Sequence, residues 1–341
     1  MKFNSDSDDI LKKILPIVLI TVFICLTSFY NYLLFHSLAE FFSIVIACGI
    51  FLVVWNSKEF IKNNYILFIG IAYLFIGCID LIHTLSFKGM GVFTDYSANL
   101  PTQLWIAARY LESITLVMAP IFLSKKLKSN LVFSIYLSAF TILLASIFLW
   151  NIFPDCFVDG VGLTPFKKIS EYIISIILLG SLYSLYQKRN EFDQSVYKFL
   201  SISIALTICA ELAFTFYISV YGFSNFVGHI LKIISFYLIY RAIIYTGLKN
   251  PYDLMFREIS EKEDRYRQMF DTNHAIKLII NPEDGSIVEA NTAARNFYGY
   301  SNEKLKSLKI TDLNTLSPNE VDEEMRKAKI EKKLCFNFSH R

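Results

Sequence analysis

The stretch YILFIGIAYLFIGCIDLIHTLSF, residues 65–87, decides how this chain is read. At about 1.5 Å per residue, a helix of this length crosses the roughly 30 Å of hydrocarbon in a bilayer. Its only acidic and basic side chains are Asp80 and His83. Working outward, similar apolar stretches run over residues 14–35, 38–55, 103–123, 131–153, 169–186, 197–221 and 226–246. The expected fold class is therefore mainly α, a polytopic transmembrane helical bundle of about eight spans.

Composition agrees, with an abrupt change at Lys249-Asn250-Pro251. Over 341 residues the hydrophobic share is 54%, the charged share 18% and the mean hydropathy +0.43, averages of a very apolar first part and a polar last part. A net charge of +3 is too small to imply a nucleic-acid partner. Cys25, Cys48, Cys78 and Cys209 lie inside spans and read as small buried hydrophobes; no disulfide framework or zinc spacing is present. The leader, with Asp6, Asp8 and Asp9 before Lys12 and Lys13, shows no small-residue cleavage site after its apolar run. That run is expected to be a retained first span and not a signal peptide.

Lysine and arginine are unevenly shared between the connections. One set holds Lys12, Lys13, Lys58, Lys62, Lys125, Lys126, Lys128, Lys188, Arg189 and Lys249; the alternate set holds Lys88, Lys167 and Lys168. By the positive-inside rule both termini face the cytoplasm of a multi-pass protein in the cell membrane, which needs an even number of spans. The loop at 151–168, with an unpartnered Cys156, is then extracytoplasmic. This topology puts Asp80, His83, Arg109, Glu112, Glu211, His229 and Lys232 in the outer half, with Glu40 and Glu171 at outer ends of spans.

An ionisable group at the bilayer centre costs about 2.5–3.5 kcal/mol on insertion scales, so it faces a protein interior and finds partners. Asp80/His83, Arg109/Glu112 and His229/Lys232 are spaced i,i+3, which places each pair on one helix face. Two readings are open: an outward-facing ligand cavity, or salt bridges that glue helices together. The second weighs more for Glu40, Glu171 and Lys232. His83 and His229 are candidate metal ligands by residue type alone, without a compact motif.

The strings Gly77-Cys78-Ile79-Asp80-Leu81-Ile82-His83-Thr84-Leu85-Ser86-Phe87-Lys88-Gly89-Met90 and Gln103-Leu104-Trp105-Ile106-Ala107-Ala108-Arg109-Tyr110-Leu111-Glu112 resemble the third class of bacterial membrane-associated sensor domains. So do Glu211-Leu212-Ala213-Phe214 and Gly228-His229-Ile230-Leu231-Lys232. The resemblance covers residues 14–248, leaving 1–13 as a cytosolic tail. It implies a signal-input role upstream of a histidine kinase, as in two-component systems, or of a diguanylate cyclase; it does not supply the ligand. Such inputs sit among membrane lipid and are expected to form homodimers.

Beyond the seam, residues 255–270 are charged with apolar positions at helical spacing, so 249–270 reads as a linking, signalling helix. Residues 275–280 and Ile287-Val288 flank Pro282-Glu283-Asp284-Gly285, a hairpin signal. Short helices are expected at 291–298 and 301–308, with Ser301 as N-cap, then a longer helix at 318–333 and a strand at 334–338. This order, with Glu289-Ala290-Asn291, Phe297-Tyr298-Gly299-Tyr300 and the lead-in Arg265-Tyr266-Arg267-Gln268-Met269-Phe270, resembles an α/β PAS domain. The sequence ends at Arg341 where a third strand should be running, so 271–341 is expected to be a truncated PAS domain with exposed sheet edges. No cofactor is indicated there: the flavin cysteine is missing from 310–316, and His274 and His340 are poorly placed for haem.

No kinase phosphoacceptor, nucleotide-binding box, cyclase loop or Walker loop occurs, so the chain as given is not expected to be an enzyme. The competing class is a small-solute or proton transporter with a regulatory tail. That function needs midplane binding and favours inverted repeats. Neither is visible, and the ionisable residues stop in the outer half.

Overall fold

The computed structural model describes residues 3–59, 63–215, 222–244, 250–281, 283–317, 319–321, 323 and 326. The chain divides into two units, Met1–Tyr252 and Asp253–Arg341.

The first unit is helical: α1 Phe3–Tyr30, α2 Tyr32–Asn56, α3 Asn64–Ser86, α4 Asn99–Met118, α5 Ser129–Phe148, α6 Pro165–Gln187, α7 Gln194–Thr215 and α8 Phe223–Ile244. A 3₁₀ turn, Ala119–Leu123, extends α4. Among the described residues seven helices, α2 to α8, are long and apolar enough to cross a membrane. The apolar part of α1 is the shorter Leu15–Tyr30. Helix starts follow from capping side chains that satisfy otherwise orphaned N–H groups. Asn31 accepts from Leu33 N at 2.8 Å, Asn63 from Tyr65 N at 3.0 Å, and Thr164 from Lys167 N at 3.2 Å with Pro165 in the first turn.

The Asn31 cap corrects the first two expected spans. The first stops at Tyr30 and not at 35, and the second begins at Tyr32, six residues before the expected 38. The break falls where the asparagine carboxamide replaces helix hydrogen bonds. His36 and Glu40 consequently lie in the body of α2.

The central helix is α3, with 78% of its most apolar window buried in the bundle against 22% for α5 at the periphery. Glycines let α2 and α3 approach closely: a Cβ at Gly70 would stand 2.6–2.8 Å from Val54, and one at Gly77 would stand 3.0 Å from the Cβ of Ala47. The α7–α8 contact is joined by hydroxyls, Ser203 Oγ to Ser235 Oγ at 2.8 Å and Thr207 Oγ1 to Ser235 Oγ at 2.7 Å. Between α5 and α6 lies a small hairpin, β1 Phe157–Val158 with β2 Gly162–Leu163. Asn99 pins it to the start of α4, accepting from Cys156 N at 2.8 Å and Phe157 N at 3.0 Å while donating to Asp155 Oδ1 at 2.7 Å. Burial pushes the Cys156 thiol up to about 12, so it stays protonated.

The second unit begins within α9, Asn250–Asp271, which is followed by the antiparallel pair β3 Leu278–Ile280 and β4 Ile287–Ala290. Gly285, with φ 69°, sits in the connecting turn. Then come α10 Thr292–Tyr298, α11 Asn302–Lys306 capped by Ser301, and α12 Ile310–Leu313. Asn291 ties this unit together. Its Oδ1 accepts from Lys277 N and Ala294 N at 3.0 and 2.9 Å, and its Nδ2 donates to the carbonyls of Phe270, Asn273 and Ala275 at 2.8–3.1 Å. Among the described residues the unit contains these two strands only. The expected helix at 318–333 is represented by helical residues 319–321, 323 and 326, and the expected strand at 334–338 with His340 lies outside the described residues. His274 is exposed.

Candidate functional site

Six helices bring polar side chains to the same end of the first unit. His36 and Glu40 lie near the start of α2, Asp80 and His83 near the end of α3, and Arg109 and Glu112 in the middle of α4. Lys167 and Glu171 begin α6, Glu211 lies near the end of α7, and His229 and Lys232 near the start of α8. All of them are buried.

Arg109 is the first hub. Its Nη2 donates to both carboxylate oxygens of Asp80, at 2.9 and 2.8 Å, and its Nη1 to Glu112, whose other oxygen accepts from Tyr73 OH at 2.9 Å. The second hub is Lys232, which pairs with Glu40 Oε2 at 2.6 Å and Asp80 Oδ2 at 3.0 Å. Asp80 therefore joins both cations. Trp105 is close to both, its ring 4.9 Å from the Arg109 guanidinium and 4.7 Å from the Lys232 ammonium. Counting Arg109 and Lys232 against Asp80, Glu112 and Glu40, the cluster holds one carboxylate more than it has permanent cations. Glu211 adds to that excess if ionised; its Oε2 makes no hydrogen bond.

Histidines line the side of this cluster facing a cavity of ≈40 Å³, bordered also by Phe87, Trp105 and Phe214. His83 Nδ1 lies 2.7 Å from the carbonyl of Pro101, and His229 Nδ1 lies 2.7 Å from that of Asn225. A carbonyl only accepts, so each Nδ1 carries the proton and each Nε2 presents a lone pair in the neutral ring. Neither Nε2 makes a hydrogen bond, nor does Glu40 Oε1, although it stands 3.3 Å from His229 Nε2. His36 stacks on Phe87 at 3.7 Å and meets the His229 ring at 4.8 Å, and its Nδ1 has no hydrogen bond. A larger recess of ≈350 Å³ shares Phe87, Lys88 and Ala98 with this cavity.

The residues singled out in the sequence thus meet in part. Asp80, Arg109, Glu112 and Lys232 form one ion-pair network, with His83 and His229 beside it. Glu211 is buried nearby without a hydrogen bond from Oε2. Glu171 belongs to a separate cluster, accepting from Lys167 Nζ and from Thr215 Oγ1, the latter at 2.8 Å. Lys167, counted above as a loop charge, is buried in the first turn of α6 and donates to the Phe214 carbonyl at 3.0 Å. Glu40, read as an end-of-span residue, is a central partner. His36 was not singled out; the i,i+4 spacing from His36 to Glu40 behind an Asn31 cap is the signal that points to it.

A model of the membrane-associated sensor domain, MASE3, matches residues 27–251, about two thirds of the chain. This chain belongs to the membrane-associated sensor domain family. The match contains the whole polar cluster. Among curated proteins, diguanylate cyclase DgcM of Escherichia coli strain K12 and its counterpart in Escherichia coli O157:H7 are each 37% identical to this chain over 82 residues, 22% of this chain and 20% of theirs. The chain thus spans about a fifth of the length of these relatives. No solved structure matches.

Proposed function

We propose that this membrane-associated sensor domain receives an extracytoplasmic or membrane-borne cue in the polar cavity and relays it through residues 249–270 to a PAS domain at 271–341. The observation that carries this reading is the convergence of α2, α3, α4 and α8 on one buried, charge-rich cluster beside a cavity. A ligand that alters the balance among Arg109, Lys232, their shared Asp80 and Glu40 acts on four helices at once. Any difference in its affinity for two packings of those helices shifts their populations.

The placement is outward-facing, with both termini in the cytoplasm and α1 as an eighth, shorter membrane helix. Its exposed Leu19, Phe23, Leu26 and Phe29 suit contact with lipid. The hairpin β3–β4 followed by three short helices suits the opening of a PAS fold. Residues 1–13 are a cytosolic tail, and the chain works as a homodimer without catalysis of its own. Likeness to diguanylate cyclase DgcM favours a cyclase as the output it serves, with a histidine kinase as the other class. A transporter reading has less support, because among the described residues the ionisable groups extend from one end of the bundle to its middle and are not arranged in repeats about the midplane.

The test is to join the chain to a reporter output domain and apply a panel of extracellular ions and small solutes. Asp80→Asn and Arg109→Ala are expected to abolish the response of the wild type. An unchanged dose response in both variants would make the cluster helix glue.

A further inference from the structure

We infer that His36, Glu40, His83 and His229 form a binding site for one divalent transition-metal ion. The donor set is the first argument. One ligand atom from each of His36, Glu40 and His83 lies within 4.8 Å of the others, and all three side chains are buried. His229 borders this group, its Nε2 3.3 Å from Glu40 Oε1 and its ring 4.8 Å from that of His36. Around a tetrahedral ion with bonds near 2.0–2.1 Å, ligand atoms stand about 3.3 Å apart. Binding therefore requires the three atoms to close in by up to about 1.5 Å, within reach of side-chain rotation. His36 is suited to make that movement, since its Nδ1 is not hydrogen-bonded.

The second argument is the arrangement behind these donors. Metal-bound histidines characteristically donate their other ring N–H to a carbonyl or carboxylate, which fixes tautomer and orientation. His83 and His229 do so toward Pro101 and Asn225, leaving Nε2 as the available lone pair. Glu40 is held in the same way: Lys232 occupies Oε2 at 2.6 Å and leaves Oε1 without a hydrogen bond. Three buried acceptors without donors are costly as they stand. A cation would satisfy them together, and it would also offset the excess carboxylate of the cluster.

Size and chemistry narrow the class. The adjoining cavity of ≈40 Å³, lined by His36, His83 and His229, exceeds the roughly 10–15 Å³ that one water requires, so it has room for a water or two completing an ion's shell. Imidazoles with a single carboxylate suit zinc, cobalt, nickel, copper or ferrous iron, whereas calcium and magnesium favour all-oxygen shells. The ≈350 Å³ recess that shares Phe87, Lys88 and Ala98 offers the access route.

This inference rests on the sensor reading for its biological role, but its test does not. The full chain is purified with a tag lacking histidines, stripped with chelator and titrated with Co²⁺ in detergent. The expected result is about one Co²⁺ per chain with the visible ligand-field bands of a low-coordinate nitrogen site, displaced by Zn²⁺ and not by excess Mg²⁺. His36→Ala and His83→Ala should each weaken Co²⁺ by at least about 100-fold, beyond the 10- to 100-fold typical of outer-shell changes. His274→Ala, at an exposed position, should bind as wild type does. Wild-type protein that retains no cobalt, or cavity variants that bind like wild type, would overturn the site. Should those variants aggregate, the wild type decides alone: a rise in melting temperature with Co²⁺ supports the site, and no rise overturns it. Failure here leaves the sensor reading standing. A wild-type dose response retained in both Asp80→Asn and Arg109→Ala would refute that reading whether or not metal binds.

Discussion

Replacing Arg109 by leucine tests how the charge cluster is held. The guanidinium lies 2.8–2.9 Å from Asp80 and is bonded to Glu112, with 2% of its surface exposed. At 2.8 Å and an effective dielectric constant near 20, each such pair is worth about 6 kcal/mol before desolvation. The loss is smaller once the cost of burying the guanidinium is returned, and breaking a buried pair typically destabilises by about 3–5 kcal/mol. Asp80 would keep Lys232 at 3.0 Å, while Glu112 would keep only Tyr73 OH at 2.9 Å. The penalty therefore falls mainly on Glu112, and the double variant Arg109→Leu, Glu112→Gln should recover about 2 kcal/mol of it. Asp80→Asn behaves differently. It removes the surplus negative charge and leaves Arg109 with Glu112 and Lys232 with Glu40, so its cost is limited to weakened hydrogen bonds, about 1–2 kcal/mol. Unfolding by SDS titration in mixed micelles, followed by the fluorescence of Trp105 in a background with Trp55 and Trp150 replaced by phenylalanine, measures all three. An Arg109→Leu protein within about 1 kcal/mol of wild type, or a double variant weaker than the single one, would refute this account of the charges.

Other positions give independent checks. Gly70→Ala puts a methyl against the fixed Cβ of Val54 and must part α2 from α3, with an expected cost of about 1–3 kcal/mol in the same titration. Asn99→Ala strands two N–H groups of the 156–157 segment, so limited proteolysis should cut the loop between α5 and α6 faster than in wild type. Cys156, held near 12 by burial, is protonated when folded and ionises near its ordinary value once unfolded. The stability this adds is complete below about pH 8.5 and fades as pH rises toward 12, so wild type should lose stability over pH 9–11 more steeply than Cys156→Ala. In the second unit, Asn291→Ala leaves two N–H groups and three carbonyls without their shared partner. Hydrogen exchange at β3 and α10 should rise well above wild type.

The helices are readable in the sequence because long apolar stretches match the bilayer's thickness, and α3 to α8 begin within about four residues of expectation. The i,i+3 spacings also carry real information. Arg109 and Glu112 bond each other, and His229 and Lys232 both reach Glu40. Partners across helices are not legible, because spacing along one helix says nothing of its neighbours: Asp80 and His83 share a face yet bond to different partners. His36 escaped notice through a boundary error, since an end of the first span at 35 places it in a connection. Lys167 misled in the opposite direction, being a buried ion-pair partner where a solvated loop charge was expected. The two-stranded sheet of the second unit is too small to decide its fold class.

A single comparison separates a receptor from a bundle merely held together by its charges: output per folded molecule of the reporter fusion in Asp80→Asn and Gly70→Ala. If the cluster is the signal input, Asp80→Asn changes that output several-fold at a stability cost of about 1–2 kcal/mol, no greater than that of Gly70→Ala. Gly70→Ala loses stability and abundance while the output of each folded molecule is unchanged. Asp80→Asn output equal to wild type per folded molecule would contradict the claim that this domain senses through its polar core.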